Sequence, residues 1–446
     1  MEDTKKSMRI LMLPWLAQGH ISPFLELAKK LTHRNFHIYL CSSPINLSSI
    51  KKKVEDDPKY SNSIQLVDFH VQSFPELPPQ CHTTKGLTPH LLPNLIKALN
   101  MSRSNFSQIV QTLKPDLIIN DFLPTWVPDV ASSMNMNIPT VSFMTTGASS
   151  LTFFIHLVRN KGEKIFPFQE IYSDSLNQKF FQMIKRLESD NKGEALQFYE
   201  RSCNIVLIRS FRELEGKYMD YLFATFGKKI VPVGPLVPDP DHDDNEGMDI
   251  IKWLDEKEKS STVFVSFGSE CYPSKEDMKE IAHGLELSKV NFIWVVRFPK
   301  GEKMKLEDAL PSGFLERVRE KGLVVQNWAP QVKILAHVNI GGFVSHCGWG
   351  SFMESIRFGV PIIAIPMQFE QPLNSKLAEV SRIGMEAKRD NDGKLQKETV
   401  AKVINEVVVE KIGEEIRRRT KEMKDKIETK VDEEMDEVVK ELLLLL

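Results

Sequence analysis

Long apolar runs are missing from this 446-residue chain. None approaches the ~18 residues that a membrane-spanning helix needs, so no span is expected. The nearest imitation is residues 8–16, MRILMLPWL, which follow a charged start much as a signal peptide does. The run is short, has no small-residue cleavage site and flows into a loop and helix, so it reads as a first β-strand. Net charge is missing too: 58 Lys and Arg against 60 Asp and Glu leave −2. That removes the global electrostatic case for nucleic acid or an anionic membrane. Cysteine is scarce, and the five residues (Cys41, Cys81, Cys203, Cys271, Cys347) are odd in number and scattered. No metal-ligand spacing joins them, and the pattern points to a reducing cytoplasm. Ser22, Ser266, Ser269 and Ser351 lack a Gly-x-Ser-x-Gly frame, which weakens a nucleophilic-enzyme reading. Cys347 adjoins His346, but neighbours on a turn rarely present both side chains to one atom, so Cys347 reads as a buried small hydrophobe.

What is present is ordinary for a soluble globular chain, with 41% hydrophobic and 26% charged residues. The length suits two or more domains, each with a sizeable core. Strand-like segments recur at 9–16, 37–41, 64–69, 116–120, 140–143 and 204–209, with helical patterns between several of them. That alternation predicts parallel sheets with helices on both faces. Residues 17–23 read as a loop, with Pro23 in the first turn of a helix over 24–33. Loop chemistry is dense at 75–93, and that region together with 151–197 is expected to be variable structure. The proline- and acid-rich stretch 233–245 reads as an interdomain linker. Its alternating Asp239, Asp241 and Asp243 imitate a metal-binding Asp-x-Asp. Two prolines and no preceding buried strand end favour solvated linker, and no metal is expected. The second half alternates again: helix 249–256, strand 262–267, a Gly268-Ser269 turn, helix 275–288, and strands 291–296 and 323–326. From Glu414 the chain is a charged amphipathic helix ending in five leucines, too few to span a bilayer.

Residues 328–371 organise the rest. An apolar run at 340–344 predicts a buried strand, and SHCGWGS then brings Gly348, Gly350 and two serines to the start of a helical pattern at 352–358. Strand, small-residue turn and helix N-terminus together make an anion site, because free N–H groups and the positive dipole end face one point. His346 and Ser351 add donors, and Glu354 lies a turn further on. A second buried strand, IIAIPM, leads to Glu370 and Gln371. Donors at one end and acceptors at the other suit a nucleotide sugar. In the first half, His20 lies where a strand gives way to a helix, the usual ligand crevice of an open α/β sheet. Imidazole suits general-base work near neutrality. Asp121, closing the apolar strand DLIIN, is placed to orient it.

Over its whole length the 44-residue stretch, with WAPQ, HCGW, ES, GVP and a closing EQ, resembles the donor-binding signature of plant family 1 UDP-dependent glycosyltransferases. The GHISP-like loop of the N-terminal half resembles that family's catalytic loop. The resemblance implies an α/β GT-B fold, two Rossmann-like domains facing each other across a cleft. It implies an acceptor-binding domain at 1–235, a linker at 236–247, a UDP-sugar-binding domain at 248–429, and a terminal helix at 430–446 returning to the first domain. His20 and Asp121 would form the catalytic dyad. Trp328 would stack on uracil, Ala329 would bond the base through its backbone, and Gln331 and Glu354 would hold the ribose. Ser269, His346 and Ser351, with the helix start after Gly350, would hold the diphosphate. Trp349, Glu370, Gln371 and Thr145 would contact the sugar, and the closing Gln implies UDP-glucose. Gly350 departs from the usual Asn, which resembles a branch that adds a sugar to a sugar, as do PWLAQGHISPFLELAKKL and PINL. The implied activity is an inverting, metal-independent transfer of glucose to a sugar hydroxyl of a flavonoid or triterpenoid glycoside, by a cytoplasmic monomer with no cofactor. Glucosylation of an aglycone is the alternative. A non-catalytic nucleotide-sugar-binding protein is another, against which the presence of both His20 and Asp121 argues.

Overall fold

The computed structural model describes residues 7–133, 138–160, 165–172, 200–240, 246–299 and 304–446. Contacts divide the chain into two compact units: Met1–Ile165, Lys179–Leu236 and Lys430–Leu446 form one, Phe166–Gln178 and Val237–Thr429 the other.

The first unit holds a seven-stranded sheet. Its strands are β1 (Met8–Leu13), β2 (Phe36–Ser42), β3 (Ile64–Asp68), β4 (Leu117–Asn120), β5 (Thr140–Met144), β6 (Ile205–Ile208) and β7 (Lys229–Pro232). All neighbours are parallel, in the order β3-β2-β1-β4-β5-β6-β7. Strands covered on both faces read as unbroken apolar runs, and β1 shows why. Ile10 and Met12 pack on one side with Phe24, Leu27 and Leu31, while Leu11 and Leu13 pack on the other with Leu99, Phe106 and Trp126. The strand order turns back between β1 and β4, which creates a crevice beyond their carboxyl ends.

Helix α1 (Gln18–Thr32) starts earlier than the sequence suggests. The stretch read as a loop over 17–23 supplies the first turns, so His20 is helical and Pro23 lies inside the helix rather than in its first turn. Gln18, Gly19 and His20 carry no apolar periodicity, so nothing in the pattern marked them as helical. The missing Pro23 N–H deprives one carbonyl near the helix end, a local loss that the buried face of Ile21, Phe24, Leu25 and Ala28 outweighs.

The second unit holds a six-stranded parallel sheet in the order β10-β9-β8-β11-β12-β13. Its strands are β8 (Thr262–Ser266), β9 (Asn291–Val296), β10 (Gly322–Gln326), β11 (Ile340–Ser345), β12 (Ile362–Ala364) and β13 (Gly384–Glu386). The order turns back between β8 and β11. Sequence reasoning missed β7, which opens on an exposed lysine and ends on proline, and β13, three residues with no apolar run.

Two expectations change on packing. The proline-rich stretch does not begin as solvated linker: Val233 and Leu236 are fully buried, and Arg209 donates to the carbonyls of Pro235 and Leu236. Residues 241–245, including Asp241 and Asp243, lie outside the described residues, as do residues 173–197 of the region expected to be variable. Gln169–Ile171 of that region groups with the second unit, against the helix Gln371–Val380. The chain ends in a single helix, Lys411–Leu443, whose Met435, Val438 and Leu442 belong to the first unit's core. Of the terminal leucines, Leu442 is fully buried, and Leu443, Leu444 and Leu446 are exposed. Among the described residues no helix is long and apolar enough to cross a membrane.

Candidate active site

At the β1/β4 turning point the chain brings two side chains, those of Asp121 and Thr145, onto one imidazole nitrogen of His20. Asp121 directly follows β4 and is fully buried. Its Oδ2 lies 2.7 Å from His20 Nδ1 and also accepts from the Trp15 N–H at 3.0 Å, while Oδ1 accepts from the Phe122 N–H at 2.8 Å. With backbone donors already on both oxygens, the proton between Asp121 and His20 belongs to Nδ1. That tautomer leaves Nε2 as the nitrogen able to take a proton. The ring sits in the first turn of α1. Thr145, just beyond the end of β5, is buried, and its Oγ1 is 2.9 Å from the same Nδ1. Sequence reasoning gave Thr145 a sugar contact; its hydroxyl lies on the histidine, a pairing that no spacing in the sequence signals.

In the second unit the turn after β11 leads straight into helix α2 (Trp349–Phe358), with Gly348 as N-cap. The helix therefore starts three residues before the apolar pattern shows it, and Gly350 and Ser351 lie in its first turn. No side chain caps this end, and the first helical bond runs from Phe352 N–H to the Gly348 carbonyl. The Gly350 and Ser351 N–H groups are thus available to an anion. Cys347 is fully buried with φ of 64°, a left-handed conformation that lets the turn double back, and burial raises its thiol pKa.

The His346 ring lies between two glycines. A Cβ on Gly268 would come within 2.9 Å of its Cε1, and one on Gly348 within 2.5 Å of its Nε2. Desolvation in this slot lowers the His346 pKa to about 4, so the ring is neutral at pH 7 and carries one N–H. Its Nδ1 is buried with no hydrogen-bond partner.

The remaining predicted contacts separate into two groups. Trp328 is 44% exposed, as a stacking platform must be, while Ala329 is buried beside it. Gln331 Nε2 donates to Glu354 Oε2, so the two residues assigned to the ribose do meet. Ser269 is partly exposed, with Tyr272 Oη donating to its carbonyl. The residues assigned to the sugar are more enclosed. Trp349 is 4% exposed and stacks on Phe352 at 5.1 Å. Gln371 is buried at the start of the helix Gln371–Val380, for which Glu370 is N-cap. Its Oε1 accepts from the N–H groups of Met367 and Gln368, and its Nε2 donates to Cys271 Sγ at 3.2 Å. The Cys271 partnership was not legible in the sequence. Among the described residues no three His, Cys, Asp or Glu side chains are grouped to hold a metal.

Comparison with known proteins agrees with this geometry. The family described as "UDP-glucoronosyl and UDP-glucosyl transferase" matches residues 133–428, and "Glycosyltransferase, N-terminal domain" matches residues 6–238. The chain belongs to the plant family 1 UDP-dependent glycosyltransferases. It is therefore an enzyme, a UDP-glycosyltransferase of GT-B fold. Over 405 residues, covering 89% of this transferase and 85% of the relative, it is 54% identical to "Mogroside IIIx synthase" of Siraitia grosvenorii. It is 49% identical to "Beta-D-glucosyl crocetin beta-1,6-glucosyltransferase" of Gardenia jasminoides, over 89% of each chain. Among solved structures, UGT73P12 of Glycyrrhiza uralensis, complexed with glycyrrhetinic acid 3-O-monoglucuronide, superposes with a TM-score of 0.83. That pair is 25% identical over 98% of this transferase and 95% of the other chain.

Proposed function

We propose that this transferase moves glucose from UDP-glucose onto a sugar hydroxyl of an already glycosylated plant product, a flavonoid or triterpenoid glycoside, in one inverting displacement. The hydrogen bond between buried Asp121 and His20 carries the reading. A phenol ionises readily, but a sugar hydroxyl is a far weaker acid and needs an oriented base. In this mechanism the acceptor hydroxyl gives its proton to His20 Nε2 as its oxygen attacks the anomeric carbon from the face opposite UDP. The imidazolium that forms is stabilised by Asp121. Charge developing on UDP meets the open N–H groups at the start of α2, Ser351 and the neutral His346, fixed donors that cost no reorganisation during the reaction. Two further facts support the acceptor class. One similar relative is named for glucosylation of a glucosyl crocetin, and a similar structure holds a glycoside.

On the same reading the enzyme acts as a cytoplasmic monomer, without metal or cofactor. The test is mass spectrometry of reactions with UDP-glucose in buffer containing EDTA, pairing each flavonoid or triterpenoid aglycone with its monoglucoside. Addition of one hexose to the glucosides alone is expected, with turnover abolished in His20→Ala while UDP affinity is largely retained. Transfer to the aglycones alone would place the enzyme at first-step glucosylation, and near-normal turnover by His20→Ala would remove the base assignment.

A further inference from the structure

The ends of β9, β8 and β11 lie side by side, because these strands are neighbours in the sheet. β8 pairs with β9 through Thr262↔Asn291 and Val265↔Trp294, and continuing that register sets Gly268 across from Arg297. β8 pairs with β11 through Ser266↔Ser345, and the glycine turn it leads into touches the His346 ring. Arg297, Gly268-Ser269 and His346 therefore form a row along one edge of the second unit's sheet. Arg297, Gly268 and Cys271 also line one small hollow.

Arg297 is an unusual member of that row. Its Nε is buried with no hydrogen-bond partner, and among the described residues no carboxylate pairs with its guanidinium. Desolvation lowers its pKa, and the ionisable neighbour acting on it is the Tyr272 phenol, whose own pKa burial raises. Arg297 is half-buried; a guanidinium partly drawn out of water is costly unless an oxyanion meets it, and a buried Nε donor without an acceptor adds to that cost. Sequence reasoning gave Arg297 no role.

We propose that Arg297 is an anion-binding residue that contacts the diphosphate of the nucleotide donor from the end of β9. This rests on the reading that the His346 and Gly268 turns hold that diphosphate, and adds to it a charged contact beside their neutral donors. A guanidinium there meets the charge that grows on the diphosphate as the sugar leaves, which a neutral N–H does more weakly.

The experiment is calorimetric titration of UDP and of uridine into wild type, Arg297→Gln and Arg297→Lys, with thermal melts of each protein alone. Wild type is expected to bind UDP, and Arg297→Gln to bind it about ten- to a hundredfold more weakly. Uridine affinity should be unchanged, and Arg297→Lys should fall between. The unliganded Gln variant should melt no lower than wild type, since it loses an unpaired charge rather than a contact. Should it not fold, the UDP-to-uridine affinity ratio of Arg297→Lys is read instead, and a ratio equal to wild type overturns the proposal. Equal UDP binding by wild type and Arg297→Gln overturns it, as does equal weakening of UDP and uridine. Failure of wild type to bind UDP at all removes the underlying reading and the proposal with it.

Discussion

Asp121 accepts two backbone N–H groups and one imidazole N–H, and this fixes both its own rotamer and the tautomer of His20. Thr145 Oγ1 stands at the same nitrogen, so the Nδ1 proton has a second acceptor and the ring a second restraint. Thr145→Val removes that acceptor at nearly constant volume. We expect kcat to fall roughly tenfold, with the KM for UDP-glucose little changed and Thr145→Ser restoring most of the rate. A loss confined to KM for the donor would instead assign Thr145 to the sugar. His346 makes the opposite use of a ring, held neutral by desolvation rather than by a carboxylate. Its pKa in the folded protein, about 4, lies below the ordinary 6.5. Protonation therefore favours the unfolded chain, and the stability linked to this ring is complete above about pH 6.5 and lost as pH falls through 4. Melting curves between pH 7 and 4 should fall less steeply for His346→Asn than for wild type.

At the scale of elements, the long C-terminal helix Lys411–Leu443 carries a pH-dependent contact of opposite sign. Burial, with the Glu213 carboxylate nearby, pushes Glu434 up to about 7, against the Arg212 N–H and the charges of Lys430 and Lys30. A carboxyl whose folded pKa exceeds the unfolded value, about 4.3, binds its proton more tightly when folded. The stabilisation it gives is complete below about pH 4 and lost as pH rises through 7. Glu434→Gln should flatten the fall in melting temperature between pH 6 and 8, and an unchanged slope would assign that fall elsewhere. The elements easiest to read in sequence were those with the most periodicity to show. Strands such as β8 and β9, buried on both faces, appear as plain apolar runs, and the motif after β11 carries its own glycines. The misread boundaries fall where the apolar signal is lacking, at Gln18-Gly19-His20 and at Trp349-Gly350-Ser351, both first turns of helices. Residue pairings such as Thr145 with His20, Cys271 with Gln371 and Arg297 with the Gly268 turn depend on register between strands distant in sequence, and no local pattern records that.

At the scale of the whole molecule, the order of residues along the chain and the composition of its two units do not coincide. Residues 7–133, 138–160 and 200–236 build the first sheet and the helices around it, yet its core also takes Met435, Val438 and Leu442, packed in one cluster with Leu31, Val231 and Leu236. The second unit is inserted between. A ribosome makes the last strand of the first sheet and then roughly two hundred further residues before the closing helix exists, a wait of about 10–40 s at typical elongation rates. Through that interval the nascent N-terminal half displays an apolar strip with nothing to cover it, an obvious landing site for a chaperone. Ribosome-bound chains arrested near residue 260 should be cut readily by protease in the first half, and arrested chains that include residue 446 and a spacer long enough to clear the exit tunnel should resist. Equal resistance would show that the first sheet closes without its last helix. The unit made first is thus sealed only after the second has been synthesised.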